Sequence, residues 1–448
     1  MKKSKVWALA SLAISLSLAL FLSGCGLFSF PKADKSFPFD AAVEDGYTDT
    51  RGEWLASQEK PSTIYRLMYE EAVADGSFSG TYFEFLQQLG LKEDDTPSIN
   101  AALCSVVRIE CYFPDTNGSA GAGVVWSVNR AAGDAYILTN YHVLYNAASR
   151  TPVSSDIFVW LYGEEVSARA MSAEYFGGTM EYDLAILYIK GETLVRDTLL
   201  NTHTNAEVIQ NSSMKAAAFA DSDSITLGEK VYAIGNPIGH GISVVSGVVS
   251  VDLEYVPVKT ADGKKTVTLP EIRTDAPINH GNSGGGLFNS AGQVVGITNA
   301  RSESEGVVAF GYAIPINFVL SVVHNLFDNG GTLVYARSGL ELGVEDSLSV
   351  FNESTGKIYI EEKVVVSSVL ASGVAYGVGM KEKDTVLSAK LVSASGGRTV
   401  AITRKHKLLA LFFEVRQGDT LVLTISRAGE RKEISLGFLS AANFTTVK

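Results

Sequence analysis

Hydrophobic and polar positions change rhythm several times along the 448 residues, and each change marks a predicted element. Basic residues at Met1 to Lys5 precede an apolar stretch from Val6 to Leu22, the pattern of an export signal. Residues 26–40 mix Pro, Lys, Phe and Ser without periodicity and read as a tether. A short repeat follows. Ala42-Val43-Glu44-Asp45-Gly46-Tyr47, running on to Glu53-Trp54-Leu55, is echoed by Ala72-Val73-Ala74-Asp75-Gly76-Ser77-Phe78, running on to Glu84-Phe85-Leu86. Each unit predicts a helix end, a Gly turn and a short amphipathic helix with Trp54-Leu55 or Phe85-Leu86 packed inward. From Pro97 the texture becomes short Val-, Ile- and Tyr-rich runs separated by Gly, Asn and Asp, which predicts an all-β domain. Gly118 to Gly123 reads as a turn into Val124-Val125-Trp126. The domain closes in a helix over Asn317 to Phe327 whose apolar face is Val319, Val322, Val323 and Leu326. After Gly330-Gly331 strand patterns resume, with a core strand at Val364 to Val369, a turn and strand over Gln417 to Ile425, and a hairpin turn at Arg427-Ala428-Gly429-Glu430.

Composition narrows the function classes. A formal net charge of −12 argues against nucleic acid and against an electrostatic membrane contact. Cys104 and Cys111 fall in Leu103 to Phe113, which reads as one strand. Their separation along such a strand is roughly 23 Å, so two free thiols are expected. No cluster of Cys, His and carboxylates has the spacing of a metal site, and no cofactor is implied.

Chemistry concentrates in Thr274-Asp275-Ala276-Pro277-Ile278-Asn279-His280-Gly281-Asn282-Ser283-Gly284-Gly285-Gly286-Leu287. It presents one hydroxyl, on Ser283, in a loop almost free of side chains. There the backbone can turn sharply and the N–H groups of Gly281 and Ser283 can converge on one oxygen. A serine hydroxyl needs a base, and the base needs an orienting group. His142 stands where the strand-like run Ala135 to Thr139 turns polar. Asp183 opens the apolar run Leu184 to Ile189, where a carboxylate requires a fixed partner.

With these residues in the order His142, Asp183, Ser283, the chain resembles HtrA/Deg-family serine proteases. Further blocks of the resemblance are Gly235-Asn236-Pro237-Ile238-Gly239, Ser246-Gly247-Val248-Val249-Ser250 and Gly311-Tyr312-Ala313-Ile314-Pro315-Ile316-Asn317. The resemblance implies a mainly β chain: a chymotrypsin-like double β-barrel protease domain, then a PDZ domain, preceded here by the small helical segment. It implies Ser283 as nucleophile, His142 as base, Asp183 as the orienting group and the N–H groups of Gly281 and Ser283 as the oxyanion hole. Where the family reads Gly-Gly-Pro after the nucleophile, this chain has Gly284-Gly285-Gly286. His280 reads as a loop histidine rather than a second base. Pro277 falls at the floor of the S1 pocket, and the lack of a carboxylate there predicts cleavage after small or medium apolar residues. Loops at 191–226, 252–271 and 300–308 are expected where the family has regulatory or pocket-forming loops. In the PDZ region Leu342-Gly343-Val344 is expected as the loop that holds a peptide carboxylate, and Lys383-Asp384 replaces the usual Gly-Asp.

Leu22-Ser23-Gly24-Cys25 also resembles the lipobox of bacterial lipoproteins, which makes Cys25 the lipidated first residue of the mature chain; an uncleaved membrane anchor is the alternative. The expected layout is a signal peptide at 1–24, a tether at 25–40, the helical repeats at 41–96, the protease domain at 97–330 and the PDZ domain at 331–448. The resemblance implies a lipid-anchored, extracytoplasmic endopeptidase for misfolded or damaged exported proteins, engaging unfolded polypeptides and exposed C-terminal peptides, with a homotrimer common in the family. The other readings are a protease that cuts one signalling substrate and a non-enzymatic PDZ scaffold or chaperone.

Overall fold

The structure is a computed structural model that describes residues 72–74, 76–79, 95–163, 170–195, 203–239, 241–299, 310–352, 357–394 and 396–447. Its contacts divide the chain into two compact units, Met1–Asp94 and Asp95–Lys448. In the first, residues 72–74 are helical and close into a turn at Gly76, whose φ is +73°. Gly76 N–H donates to the Val73 carbonyl and Phe78 N–H to that of Ala72. This is the helix end and glycine turn expected of the second repeat. The signal, Cys25, the tether, the first repeat and Phe85-Leu86 lie outside the described residues.

The second unit opens with helix α1 (Thr96–Leu103), where continuous strand pattern was expected from Pro97. Pro97 near its N-terminus needs no N–H partner there, and Ile99, Ala102 and Leu103 turn into the core. Cys104 therefore caps a helix rather than lying in a strand, yet it and Cys111 are free thiols as expected. Asp95, just before α1, accepts hydrogen bonds from Lys230 (2.7 Å), Tyr232 (2.5 Å) and Ser290 (3.1 Å), pinning the entry of the chain to the second barrel.

Six strands form the first barrel: β1 (Val106–Tyr112), β2 (Ser119–Asn129), β3 (Asp134–Thr139), β4 (Asp156–Leu161), β5 (Met171–Thr179) and β6 (Leu184–Ile189). They close in the order β1-β2-β3-β6-β5-β4. Inward residues such as Val107, Ile109, Val125, Ile137, Val159 and Leu187 fill it. Cys111 is among them, and burial pushes its thiol up to about 12, so it stays protonated and inert. The glycines at 121 and 123 belong to β2, not to a turn before it. A Cβ on Gly123 would stand 2.5 Å from Ile137 Cγ2, and one on Gly121 2.7 Å from both Val143 methyls. These positions are glycine because neighbouring chains pass close.

The second barrel uses β7 (Ala218–Phe219), β8 (Lys230–Gly235), β9 (Ser243–Lys259), β10 (Thr266–Thr274), β11 (Gly286–Asn289), β12 (Gln293–Thr298) and β13 (Gly311–Pro315). The order is β11-β8-β9-β10-β13-β12-β7, and β11 also pairs with β12, which closes the ring. Residues 252–271, expected as a loop, are mostly the long β9–β10 hairpin, in register from Lys259↔Thr266 to Glu254↔Glu271. Its β-branched and aromatic residues pair across the strands, and Leu269 is buried. Residues 203–226 contain a short helix, α2 (Asn205–Gln210), closed by a capping box from Thr204 and Glu207. Helix α3 (Ile316–Asp328) closes the domain, with Val319, Val322, Val323 and Leu326 buried as expected.

The remaining chain is a smaller β module: β14 (Leu333–Ala336), β15 (Leu340–Asn352), β16 (Lys357–Val369), the short helix α4 (Val374–Gly377), β17 (Thr385–Ser393), β18 (Gly396–Ala401), helix α5 (Lys405–Glu414), β19 (Thr420–Arg427), β20 (Glu430–Gly437) and β21 (Phe444–Val447). Its main sheet runs β15-β16-β17-β19-β20, with β18 on β17. The expected hairpin turn is present, with Ala428 at φ +53° and Gly429 at +85°. Lys383 supplies by strain (φ +67°) what glycine supplies freely, and Asp384 behind it is wholly buried on Arg427, at 2.6 and 2.7 Å.

This module shares a core with the protease body. Phe413 of α5 meets Phe318 and Tyr182 edge to face, at 5.7 and 5.1 Å between centroids. Buried Asn325 donates to the carbonyls of Val334 and Phe413 (both 2.6 Å) and accepts from Val334 N–H, so its amide is satisfied on both sides of the junction. The connecting strand β14 pairs with β21. Further out, Arg404 meets Asp252 (2.5 Å), Tyr255 donates to Glu362 (2.9 Å), and Asp223 accepts from His406 (3.2 Å) and Lys407 (3.1 Å).

Burial pushes the Asp223 carboxyl up, but the hydrogen bond from His406 and the charge of Lys407 outweigh it and hold the group down at about 2. Its contribution is therefore complete above the unfolded value near 3.8 and fades as the pH falls from there toward 2. Asp223→Asn is expected to lower stability by about 1–2 kcal/mol at pH 7. The difference from wild type should shrink below pH 4, as read from denaturant melts across that window. A cost that is the same at pH 3 and pH 7 would contradict the ion pairing.

Candidate active site

Strand β3 ends at Thr139, opposite Ala185 of β6, and the chain turns at once into a single 3-10 turn, Tyr141–Val143, that carries His142. Across the ladder, Asp183 precedes β6 with φ +53°, a left-handed conformation unusual for a residue with a side chain. It is 2% exposed. One carboxylate oxygen accepts the His142 backbone N–H at 2.9 Å and the other meets His142 Nδ1 at 2.7 Å. With Nδ1 donating to the carboxylate, Nε2 keeps its lone pair and can take a proton. Sequence reasoning placed both residues at strand ends, and the structure puts each just beyond one.

Ser283 is 3% exposed and reaches this turn through the backbone that flanks it. Its carbonyl accepts from Ala122 N–H of β2 at 2.9 Å, and the next N–H, of Gly284, donates to Thr298 at 3.0 Å. Thr298 Oγ1 returns a bond to the Asn282 carbonyl at 2.6 Å. Gly281 and Gly284 have φ of +96° and +82°. A Cβ on Gly284 would lie 2.2 Å from Thr139 Oγ1 and 3.0 Å from Asn140 N, so the chain just past Ser283 presses on the turn that holds His142. Ser283 thus lies between β2 of the first barrel and β12 of the second.

A trypsin-like peptidase domain family matches residues 121–297, which contain all three of these side chains. The Serine protease Do-like HtrA of Lactococcus lactis subsp. cremoris is 31% identical over 322 residues, covering 70% of this chain and 69% of the relative. The chain belongs to the HtrA/Do-like serine protease family. The Serine protease Do-like HtrB of Bacillus subtilis is also 31% identical, over 312 residues; the alignment takes in 67% of this chain and 58% of that protein's length. Among solved structures, an HtrA-type protease with a tripeptide is similar at 24% identity, with 78% of this chain and 97% of the other covered and a TM-score of 0.47.

Two expectations drawn from the HtrA resemblance change in detail. Pro277 is exposed; the inward residue is Ile278, whose Cδ1 would stand 2.6 Å from a Cβ on Gly311. Ile278 thus belongs to the buried core of the second barrel, beside Gly311. Leu342, Gly343 and Val344 are not in a loop. They lie in β15, opposite Val366, Val365 and Val364, with irregular register on both sides. Since β15 ends the sheet order, its outer edge is unpaired by any described strand. His280 is exposed on the loop. Among the described residues no group of His, Cys, Asp and Glu has the arrangement of a metal site.

Sequence reasoning missed Asn140, which donates to the Asp183 carbonyl at 2.9 Å, and Thr139 and Thr298, whose hydroxyls tie β2 and the Ser283 loop in place. Only Asn140 left a signal, as an Asn at a strand end two residues before the histidine. Gly284→Ala is expected to cost at least about 2 kcal/mol, from a clash with backbone and a left-handed φ together, and to abolish reaction with serine-directed reagents. A thermal melt and a labelling assay check this; unchanged behaviour in both would show that the loop is less tightly held.

Proposed function

We propose that this chain is an extracytoplasmic, membrane-tethered serine endopeptidase that degrades misfolded or damaged exported proteins. The observation that carries the reading is the His142–Asp183 pair, its carboxylate buried, its ring fixed through Nδ1 and placed beside the glycine-rich Ser283 loop. Ser283 Oγ attacks the substrate carbonyl while His142 Nε2 takes its proton and later returns it to the leaving amine. Asp183 holds the imidazole and favours the cation that forms. Gly281 and Ser283 N–H groups receive the developing oxyanion, and the glycines keep that approach free of side chains. Pro277 stands where the family places the floor of its S1 pocket, and the lack of a carboxylate there supports cleavage after small or medium apolar residues.

The C-terminal module is a PDZ domain in this reading, and the open edge of β15 at Leu342, Gly343 and Val344 takes an extended C-terminal peptide as an added strand. Cys25 carries the lipid. The tether is read from the lipobox-like Leu22-Ser23-Gly24-Cys25; among the described residues no helix is long and apolar enough to cross a membrane.

The test is digestion of unfolded casein by the purified full chain in detergent, beside Ser283→Ala, with and without a hydrophobic C-terminal peptide. Cleavage should occur in wild type and fall at least about 1,000-fold in Ser283→Ala. Peptide should raise the rate. Absence of both cleavage and labelling by a serine-reactive phosphonate, in folded protein, would favour the scaffold reading. Labelling without casein digestion would favour a protease for one specific substrate.

A further inference from the structure

Asn140 occupies the N-cap of the 3-10 turn Tyr141–Val143, yet makes no side-chain cap bond there. An Asn in that place ordinarily accepts, through Oδ1, from an N–H one or two residues into the turn. Here the His142 N–H is taken by Asp183 Oδ1, from across the ladder. Asn140 in turn donates Nδ2 to the Asp183 carbonyl at 2.9 Å. The two residues have exchanged partners: the carboxylate caps the histidine turn, and the amide clasps the carboxylate's own backbone.

The clasp acts where the sheet stops acting. The β3–β6 ladder ends at Thr139↔Ala185, so the carbonyl of Asp183 lies beyond its last rung. Asp183 is also in the left-handed region, which persists only where surroundings impose it. Stability does not account for this asparagine. It is 0% exposed, and its Oδ1 is buried without a hydrogen-bond partner, a placement that costs stability. Its bond to the Asp183 carbonyl is what sets it apart from an apolar residue of the same size.

We infer that Asn140 is a positioning residue that holds the Asp183 backbone in its left-handed turn, so that one carboxylate oxygen meets His142 Nδ1 while the other fixes the His142 backbone. This deepens the proposed triad and rests on it. Loss of the amide frees the Asp183 peptide to relax toward an ordinary conformation, which swings the carboxylate away from the imidazole. Substrate contacts are untouched, so turnover suffers and binding does not.

The experiment compares the full chain with Asn140→Leu, which keeps the branched shape and removes both the donor and the stranded oxygen, and Asn140→Ser, which keeps a donor. In peptide hydrolysis kcat should fall roughly 10–100-fold in the leucine variant with KM within about twofold, and recover partly in the serine variant. Melting temperatures should stay close to wild type. The second readout is the downfield NMR signal of the His142 Nδ1–H bonded to Asp183, which should weaken or move upfield in Asn140→Leu. It needs no turnover, so it still judges the clasp if wild type proves inactive and the protease reading fails. An unchanged signal and unchanged kcat in Asn140→Leu would overturn the inference, and so would loss of cooperative melting in both variants, which would make Asn140 a structural residue.

Discussion

A carboxylate removed from water must be compensated by every group around it, and Asp183 is the point where this chain accepts that demand. Both of its oxygens are engaged by one histidine, through the ring and through the backbone. The imidazole therefore has one orientation and one tautomer before any substrate arrives. The residue next to it, Tyr182, is packed edge-on against Phe318 of the closing helix and Phe413 of the C-terminal module. Three parts of the molecule thus bear on the backbone that presents the carboxylate.

Around Ser283 the barrels meet through backbone, while away from it Val124, Leu138 and Ile186 of the first barrel share a buried core with Ile234, Phe288 and Ile297 of the second. Ser283 is held by an N–H of β2 on one side and through Gly284 by β12 on the other, and the spacing is so close that Gly284 and Gly121 have no room for a Cβ. Close packing of this kind fixes Ser283 without using flexible groups. It also explains why glycines cluster on β2 and on the loop after Ile278: each marks one side of the same contact.

What could be read in the sequence was what depends on neighbours in the chain. The strand runs around His142 and Asp183, the amphipathic helix closing the protease body and the Arg427–Glu430 hairpin turn each carry a local pattern, and each is present. Contacts between distant segments were not legible. Glycines at 121 and 123 look like a turn until the chains facing them are known, and residues 252–271 look like a loop until β9 and β10 are paired. The rotation that turns Pro277 out and Ile278 in is set by the Ser283 loop as a whole. Lys383 signals its left-handed conformation only by standing where the family has a glycine, and what holds it there, the burial of Asp384 on Arg427, is a contact between distant segments.

The pairing of β14 with β21 also bears on how the molecule is made. Strand β14 joins the protease body to the last module, and its partner lies at the far end of that module, from Leu333↔Val447 to Ala336↔Phe444. A chain built from its N-terminus has both barrels complete well before β21 exists. The β14–β21 pairing therefore closes after the barrels can, and the contact of Phe413 with Tyr182 likewise waits on the later module. The surroundings of Asp183 thereby gain their last partners from a segment made long after the barrels.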